Sequence, residues 1–271
     1  RRALGTRKIG HAGTLDPMAT GLLLLGVDGA TRLLTFIVGL DKTYTATMRL
    51  GVTTDSDDAD GSVVATAEAR GIPAADIAAA LAPLTGRISQ VPSTVSAIKV
   101  GGSRAYDLAR AGESVELKAR EVTVSRFDVL ERRDGDEVID LDVVVDCSSG
   151  TYIRALARDL GAALGVGGHL TTLRRTRIGP FDVADAIGTE NMDAAALRRP
   201  ADVATAILGR FDATADEARD LRHGKRLAGA AARLADARAA AIDPDGALIG
   251  IVERRGDDVK SAMNMPEEAP R

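Results

Sequence analysis

The sequence predicts an α+β fold that ends in a small β-rich unit, and three stretches carry that prediction. Lys42 to Leu50 alternates, with Tyr44, Ala46, Met48 and Leu50 on one face and Thr43, Thr45, Thr47 and Arg49 on the other; this is the period of a half-buried strand. Ile153, Leu156, Ala157, Leu160 and Leu164 fall at i, i+3, i+4, i+7 and i+11, one apolar stripe along a helix. Asp245-Gly246 lies between Ala239–Ile242 and Ala247–Val252, a dipeptide suited to the tight turn of a β-hairpin.

The remaining elements follow from local chemistry. Pro73 opens a helix with Ile77, Leu81 and Leu84 on one side, and Gly86 ends it. Ser103 to Ala111 reads as a short helix capped by Ser103 and stopped at Gly112. Strands are expected over Glu121–Leu130 and Val138–Cys147, the second nearly continuous in apolar residues from Val143 to Val145. In the Ile153 helix, Arg154 stands beside the apolar stripe in the first turn, while Arg158 and Asp159 point elsewhere. A cation there opposes the helix macrodipole, so an anionic neighbour is expected. Thr214-x-x-Glu217 is a capping box before a short helix that ends near Gly224. Glu267–Arg271 reads as a frayed end.

The 271 residues leave room for one large domain, or one large and one small. Apolar runs such as Gly21 to Val27 are too short to span a bilayer. A single cysteine, Cys147, excludes an internal disulfide framework and suits a reducing cytoplasm. The chain opens without Met on Arg1-Arg2-Ala3-Leu4, which reads as the inside of an element, so further residues are expected ahead of it. A net charge of −4 does not by itself suggest nucleic acid, but distribution matters more than the sum. Cations gather at Arg1, Arg2, Arg7 and Lys8 and at Arg174, Arg175 and Arg177; acids gather at Asp55, Asp57, Asp58 and Asp60. On charge alone each run is a solvated face.

Several chemistries drop out. One Cys and three widely spaced His residues (His11, His169 and His223) do not compose a zinc site. Gly165-Val166-Gly167-Gly168 lacks the third glycine of a dinucleotide loop, since Leu170 stands in its place. Neither a G-x-x-x-x-G-K-[ST] nor a G-x-S-x-G string occurs. Asp55 to Gly61 fails as a calcium loop: with Gly61 at loop position 6, positions 1 and 12 are Ser56 and Ala67. Cys147 ends an apolar strand and reads as core.

The segment Lys8-Ile9-Gly10-His11-Ala12-Gly13-Thr14-Leu15-Asp16-Pro17-Met18-Ala19-Thr20-Gly21 remains. Three glycines, a proline, two threonines and one carboxylate make a stiff polar loop that runs into Leu22–Leu25. Pro17 keeps Asp16 away from helical backbone angles, and glycines let a ligand approach the backbone closely. Asp16 by itself reads as an Asp-Pro turn; the complete string says more.

That string resembles the catalytic loop of the TruB family of pseudouridine synthases, whose motif places the catalytic aspartate in G-x-L-D-P-x-A-T-G. The resemblance continues in order. Asp41-Lys42-Thr43-Tyr44 is similar to the second motif, and Leu50-Gly51 through Asp58-Ala59-Asp60-Gly61 to the acidic stretch after it. Gln90-Val91-Pro92-Ser93, Ser96-Ala97-Ile98-Lys99 and the segment around Tyr106 resemble the family's mobile RNA-gripping insertion. Cys147-Ser148-Ser149-Gly150-Thr151-Tyr152-Ile153-Arg154 resembles the third motif, with Gly168-His169 and Leu173-Arg174-Arg175 following. Two features depart from the pattern: the strand and Lys-Pro segment that precede the loop in the family are not in the sequence, and the C-terminal unit is shorter than the RNA-binding PUA domain of many relatives.

The resemblance implies a pseudouridine synthase fold, with a mixed, largely antiparallel central sheet flanked by helices. A catalytic domain is expected over residues 1–205 with its insertion at about 87–120, and a PUA-like RNA-binding domain over 212–271. The implied reaction isomerises the T-loop uridine of tRNA, position 55. It breaks the C1′–N1 bond, turns the uracil and joins C5 to C1′, without redox change or energy input, so no cofactor and no metal are expected. A carboxylate can attack and leave again, as in retaining glycosidases; addition to C6, attack at C1′ and removal of a sugar proton all fit Asp16. By resemblance Arg154 pairs with Asp16, Tyr44 stacks on the target uracil, Leu173 packs against it, and His11 inserts into the RNA to hold the flipped state. Tyr152 joins the RNA-binding set, and Lys42, Lys99, Arg104, Arg174 and Arg175 are its candidate phosphate contacts. Asp58 and Asp60 line the site or position its cations. The expected partner is the T-arm and elbow of tRNA, met by a cytoplasmic monomer with no guide RNA and no membrane. Three rivals are a guide-RNA-dependent enzyme of the archaeal and eukaryotic type, an RNA-folding or RNA-binding protein, and a glycosidase of free nucleosides. The insertion after Gln90 and the short C-terminal unit resemble the stand-alone bacterial type.

Overall fold

A computed structural model describes residues 3–93, 99–100, 103–104 and 117–266. In chain order its strands begin with β1 (Ile9–His11), β2 (Thr20–Gly21), β3 (Leu25–Val27), β4 (Lys42–Leu50), β5 (Val52–Thr54) and β6 (Val63–Thr66). Next come β7 (Gly86–Gln90), β8 (Lys99–Val100), β9 (Ser103–Arg104), β10 (Arg120–Asp134), β11 (Ile139–Cys147), β12 (Gly168–Ile178) and β13 (Phe181–Asp182). The last are β14 (Arg210–Asp212), β15 (Arg238–Ile242), β16 (Leu248–Arg255) and β17 (Asp258–Asn264). The described α-helices are α1 (Leu34–Ile37), α2 (Ala74–Leu81), α3 (Ile153–Ala163), α4 (Pro200–Leu208) and α5 (Ala215–Arg222). The chain forms two compact units: one takes residues 15–22 and 39–184, the other residues 1–14, 23–38 and 185–271.

The first unit is built on a sheet ordered β13-β12-β4-β11-β10-β7, with β2 added to β12. The β2–β12 pairing is parallel and the others are antiparallel, so the sheet is mixed and largely antiparallel. Alternation in β4 sends Lys42, Tyr44, Ala46, Met48 and Leu50 to a buried face. Met48, Leu50, Leu141, Val143 and Val145 pack there with Leu156 and Leu160 of α3; a buried leucine contributes about 1.5–3 kcal/mol. The other face of β4 is polar and paired. Thr43 bonds Asp146, Thr47 Oγ1 donates to Asp142 Oδ1 at 2.7 Å, and Arg49 forks onto Asp140 at 2.8 and 2.7 Å. Helix α3 comes close to the turn before β12 because Gly161 has no side chain: a Cβ there would lie 2.1 Å from the Gly167 carbonyl carbon.

Several boundaries differ from the sequence reading. Pro73 caps α2, a 3₁₀ turn over Ala82–Leu84 follows, and Gly86 begins β7 rather than simply ending a helix. β10 runs beyond Glu121–Leu130 at both ends. Ser103 is no helix cap: it pairs with Val100 in the β8–β9 ribbon, because antiparallel pairing takes the backbone groups that a helix start would leave free. Residues 105–111 of the expected helix, with Ser96, Ala97, Ile98 and Tyr106, lie outside the described residues, as does the expected frayed end at 267–271.

The second unit carries a sheet ordered β14-β15-β16-β17 and the small β1–β3 ribbon. Phe211, Leu221, Ile249, Val252 and Val259 share its core. The capping box closes both ways, with Glu217 N donating to Thr214 Oγ1 at 3.3 Å and Thr214 N to Glu217 Oε2 at 2.9 Å. The hairpin turn is longer than a dipeptide. Asp243 Oδ1 accepts the Asp245 and Ala247 amides at 3.1 and 2.8 Å, and Gly246 takes a positive φ of 81°. Among the described residues no helix is long and apolar enough to cross a membrane.

Candidate active site

Asp16 begins a tight turn. Its carbonyl accepts the Ala19 amide at 2.9 Å, with Pro17 at the second turn position that its fixed φ favours. Met18 and Ala19 pack onto the core of the first unit. The loop is then pinned to the sheet, where Gly21 pairs with Arg175 at a φ of 97°. A Cβ at Gly21 would stand 2.2 Å from the Arg175 carbonyl oxygen, so only glycine fits. The Asp16 side chain stays 33% exposed.

Arg154, in the first turn of α3, is 3% exposed. Its guanidinium forks onto Asp16, Nε to Oδ2 at 2.9 Å and Nη2 to Oδ1 at 3.0 Å. Its Nη1 donates to the Ser56 carbonyl at 2.9 Å and stands 3.2 Å from Asp58 Oδ2. Two carboxylates thus answer the unfavourable cation at the helix start. Asp58 is itself buried, and its Oδ1 accepts from Ser56 Oγ at 2.6 Å and the Asp60 amide at 3.1 Å. A forked, charge-assisted pair fixes direction as well as distance, so Asp16 is aimed by Arg154, and Arg154 by the acidic loop.

Tyr44 and Leu173 are buried in the same core as Met18 and Ala19. Burial pushes the Tyr44 phenol above its ordinary value, opposed by Arg175 and helped slightly by the Asp16 charge. Tyr152 precedes α3, and its backbone is held by Gln90: the amide NH₂ donates to Tyr152 O at 3.0 Å and Oε1 accepts Tyr152 N at 2.9 Å.

The candidate phosphate contacts separate. Lys42 is buried, with Nζ donating to Leu40 O at 2.5 Å, and burial followed by the neighbouring Arg175 lowers its pKa. Arg175 is 1% exposed and its Nε donates to Leu22 O at 2.8 Å. Arg174 is exposed beside Thr20. Lys99 and Arg104 are backbone partners in β8–β9, and their side chains lie outside the described residues. His11 is exposed at the end of β1, opposite Leu25, in the second unit.

Sequence reasoning did not single out the Ser56 carbonyl, Gln90 or the Asp57–Arg158 pair. Asp57 takes a φ of 60°. Its carbonyl accepts the Leu170 amide at 3.0 Å, docking the acidic loop on β12. Burial pushes its carboxyl up, while the nearby Ser93 hydroxyl, then Arg158 and Arg154, pull it down.

The profile of the TruB family pseudouridylate synthase N-terminal domain matches residues 1–153. Those of the tRNA pseudouridylate synthase B C-terminal domain and the tRNA pseudouridine synthase II C-terminal region match residues 154–211 and 208–266. The tRNA pseudouridine synthase B of Leifsonia xyli subsp. xyli (strain CTCB07) is 52% identical over 274 residues, covering 99% of this chain and 90% of the relative. That of Nocardia farcinica (strain IFM 10152) is 56% identical over 261 residues, covering 94% and 83%. Among solved structures, a chain of a Cbf5-Nop10-Gar1 complex superposes with a TM-score of 0.65 at 23% identity, covering 93% of this chain and 71% of that one. A chain of an H/ACA RNP bound to a substrate RNA containing 2′-deoxyuridine gives 0.64, with the same identity and coverage; both show the shared fold. From the profile match over more than half its length and relatives more than half identical, this chain belongs to the TruB family of pseudouridylate synthases.

Proposed function

We propose that this chain is a tRNA pseudouridine synthase, an isomerase that converts the T-loop uridine at tRNA position 55 without a guide RNA, with Asp16 as its catalytic carboxylate. One observation carries the reading: an accessible carboxylate held at both oxygens by a buried, forked arginine, in a family whose relatives at 52% and 56% identity are named tRNA pseudouridine synthase B.

The reaction balances within the nucleotide. The C1′–N1 bond breaks, C5 bonds to C1′, the C5 hydrogen leaves to solvent and N1 gains a proton. Asp16 serves it by addition to C6, by attack at C1′ or by taking a sugar proton. Arg154 keeps the carboxylate aimed through each step, and the Ser56 carbonyl and Asp58 keep Arg154 from turning away. The target must leave its stack, which costs about a few kcal/mol; stacking on Tyr44 returns roughly 1–3 kcal/mol, and Leu173 adds apolar contact. His11 holds the vacated position in the RNA. Arg174 takes backbone phosphate, as do Lys99 and Arg104, while Lys42 and Arg175 act from the buried side of the site. The C-terminal unit is PUA-like and adds RNA contact. The enzyme works as a cytoplasmic monomer.

The test is tritium release from transcripts labelled at uridine C5, with the T-loop uridine present or replaced by cytidine and no guide RNA added. Release that needs that uridine supports the proposal. Equal release from both transcripts, or none from either, overturns it.

A further inference from the structure

Arg158 does not point elsewhere, as its place in the sequence suggested: it stands one turn after Arg154 on α3, a spacing that brings side chains together. They take neighbouring carboxylates of one loop: Arg154 takes Asp58, and Arg158 takes Asp57 at 3.3 Å. The Arg158 guanidinium reaches one further segment and its own neighbour on the helix. Its Nη2 donates to the Val91 carbonyl at 2.7 Å, and its Nε donates to Asp159 Oδ1 at 2.9 Å. Val91 follows Gln90, whose side chain clamps the Tyr152 backbone, and Pro92 and Ser93 after it are buried. Gln90 to Ser93 is therefore held at two points, by the start of α3 and by Arg158.

We infer that Arg158, with Asp57, is a positioning residue for the reaction: it anchors the root of the insertion, Val91–Ser93, to the acidic loop that also holds Arg154. The inference rests on the proposed tRNA activity for its kinetic consequence, though not for the anchor itself. An arginine that is 28% exposed gives little global stability through an ion pair. What it supplies is register between three segments, using the planar fork that lysine lacks. Mounted together, the Val91–Ser93 segment cannot shift without loading the loop that carries Ser56 and Asp58. Loss of Arg158 frees the root and weakens the hold on substrate, while the Asp16–Arg154 pair keeps its own bonds.

Arg158→Ala, Arg158→Lys and Asp57→Asn should be compared with Arg126→Ala, which removes an exposed ion pair to Asp128 on β10. Two readouts are needed: hydrogen exchange of a peptide covering residues 86–93, and steady-state tritium release from tRNA. For Arg158→Ala, exchange should quicken and KM rise, each by about tenfold, as expected on losing hydrogen bonds to a charged group. Its kcat should stay within about threefold, the signature of lost binding rather than lost transition-state contact. Arg158→Lys and Asp57→Asn should fall between, and Arg126→Ala should match the parent. Parent-like exchange in Arg158→Ala, a parent-like KM despite faster exchange, or an equal KM rise in Arg126→Ala overturns the inference. A parent chain that releases no tritium overturns the tRNA reading instead, and the exchange result then decides the anchor.

Discussion

Tyr44 combines a buried ring with a phenol that burial holds above its ordinary value. The hydroxyl therefore stays protonated through the range where an exposed tyrosine begins to ionise, and tyrosine ionisation should put no falling limb on the rate below about pH 10. If the ring is a platform for the base, Tyr44→Phe should keep most activity, whereas Tyr44→Ala should lose about five- to a hundredfold in kcat/KM, the worth of one stacked base. Equal losses in the two variants would place the role on the hydroxyl. Single residues were unevenly legible. A cation in the first turn of α3 asked for an anion, and the D-P string offered Asp16. Which of the four acids between Asp55 and Asp60 would join Arg154 was not readable, because the positive φ of Asp57 and the docking of its carbonyl on β12 turn the loop. Alternation in β4 sets Lys42 on the Tyr44 face, but nothing in the sequence shows that Arg175 is buried, since a charged side chain on a strand usually marks its wet face.

At the scale of elements, the site depends on how closely α3 and the Asp16 loop meet the sheet. Gly161 and Gly21 set these approaches, with no room for a Cβ in either place. Gly161→Ala should lower stability by about 1–3 kcal/mol, as forced overpacking does, and should reduce kcat by moving Arg154. An unchanged melting temperature and rate would show that α3 is not seated as described. Cys147, at the end of β11, has its thiol pushed up to about 11 by burial. Only the thiolate reacts readily, so alkylation at pH 8 should need unfolding; rapid labelling of the native chain would contradict this placement. Alternation made β4 readable, a nearly continuous apolar run did so for β11, and the apolar stripe for α3. β7 and β9 were not, because each is short and owes its state to a partner strand.

Across the whole molecule, the two units interleave along the chain: residues 15–22 and 39–184 are enclosed by segments of the other. Periodicity reports which face of an element is buried but not which distant segment buries it, so the assignment of residues 23–38 to the unit of the C-terminal sheet was not visible in the sequence. The order of motifs carried the family and the mixed sheet, and the turn chemistry carried the C-terminal hairpin. The molecule has a net charge of −4, so RNA binding must rest on local cations. Affinity for tRNA should fall linearly on a log–log plot against salt, by at least about tenfold between 50 and 200 mM. A flat dependence would deny a phosphate footprint.

The central claim is that Asp16 performs the isomerisation. The most direct measurement compares the parent chain with Asp16→Asn for tritium release from C5-labelled tRNA, with tRNA binding measured on the same samples. Asparagine keeps the size of the side chain and one oxygen for Arg154 but removes the carboxylate. Turnover should fall by at least about a thousandfold, in the range seen when an essential catalytic group is removed, while the Kd for tRNA stays within about threefold of the parent. Turnover near that of the parent, with binding intact, would contradict the assignment of Asp16.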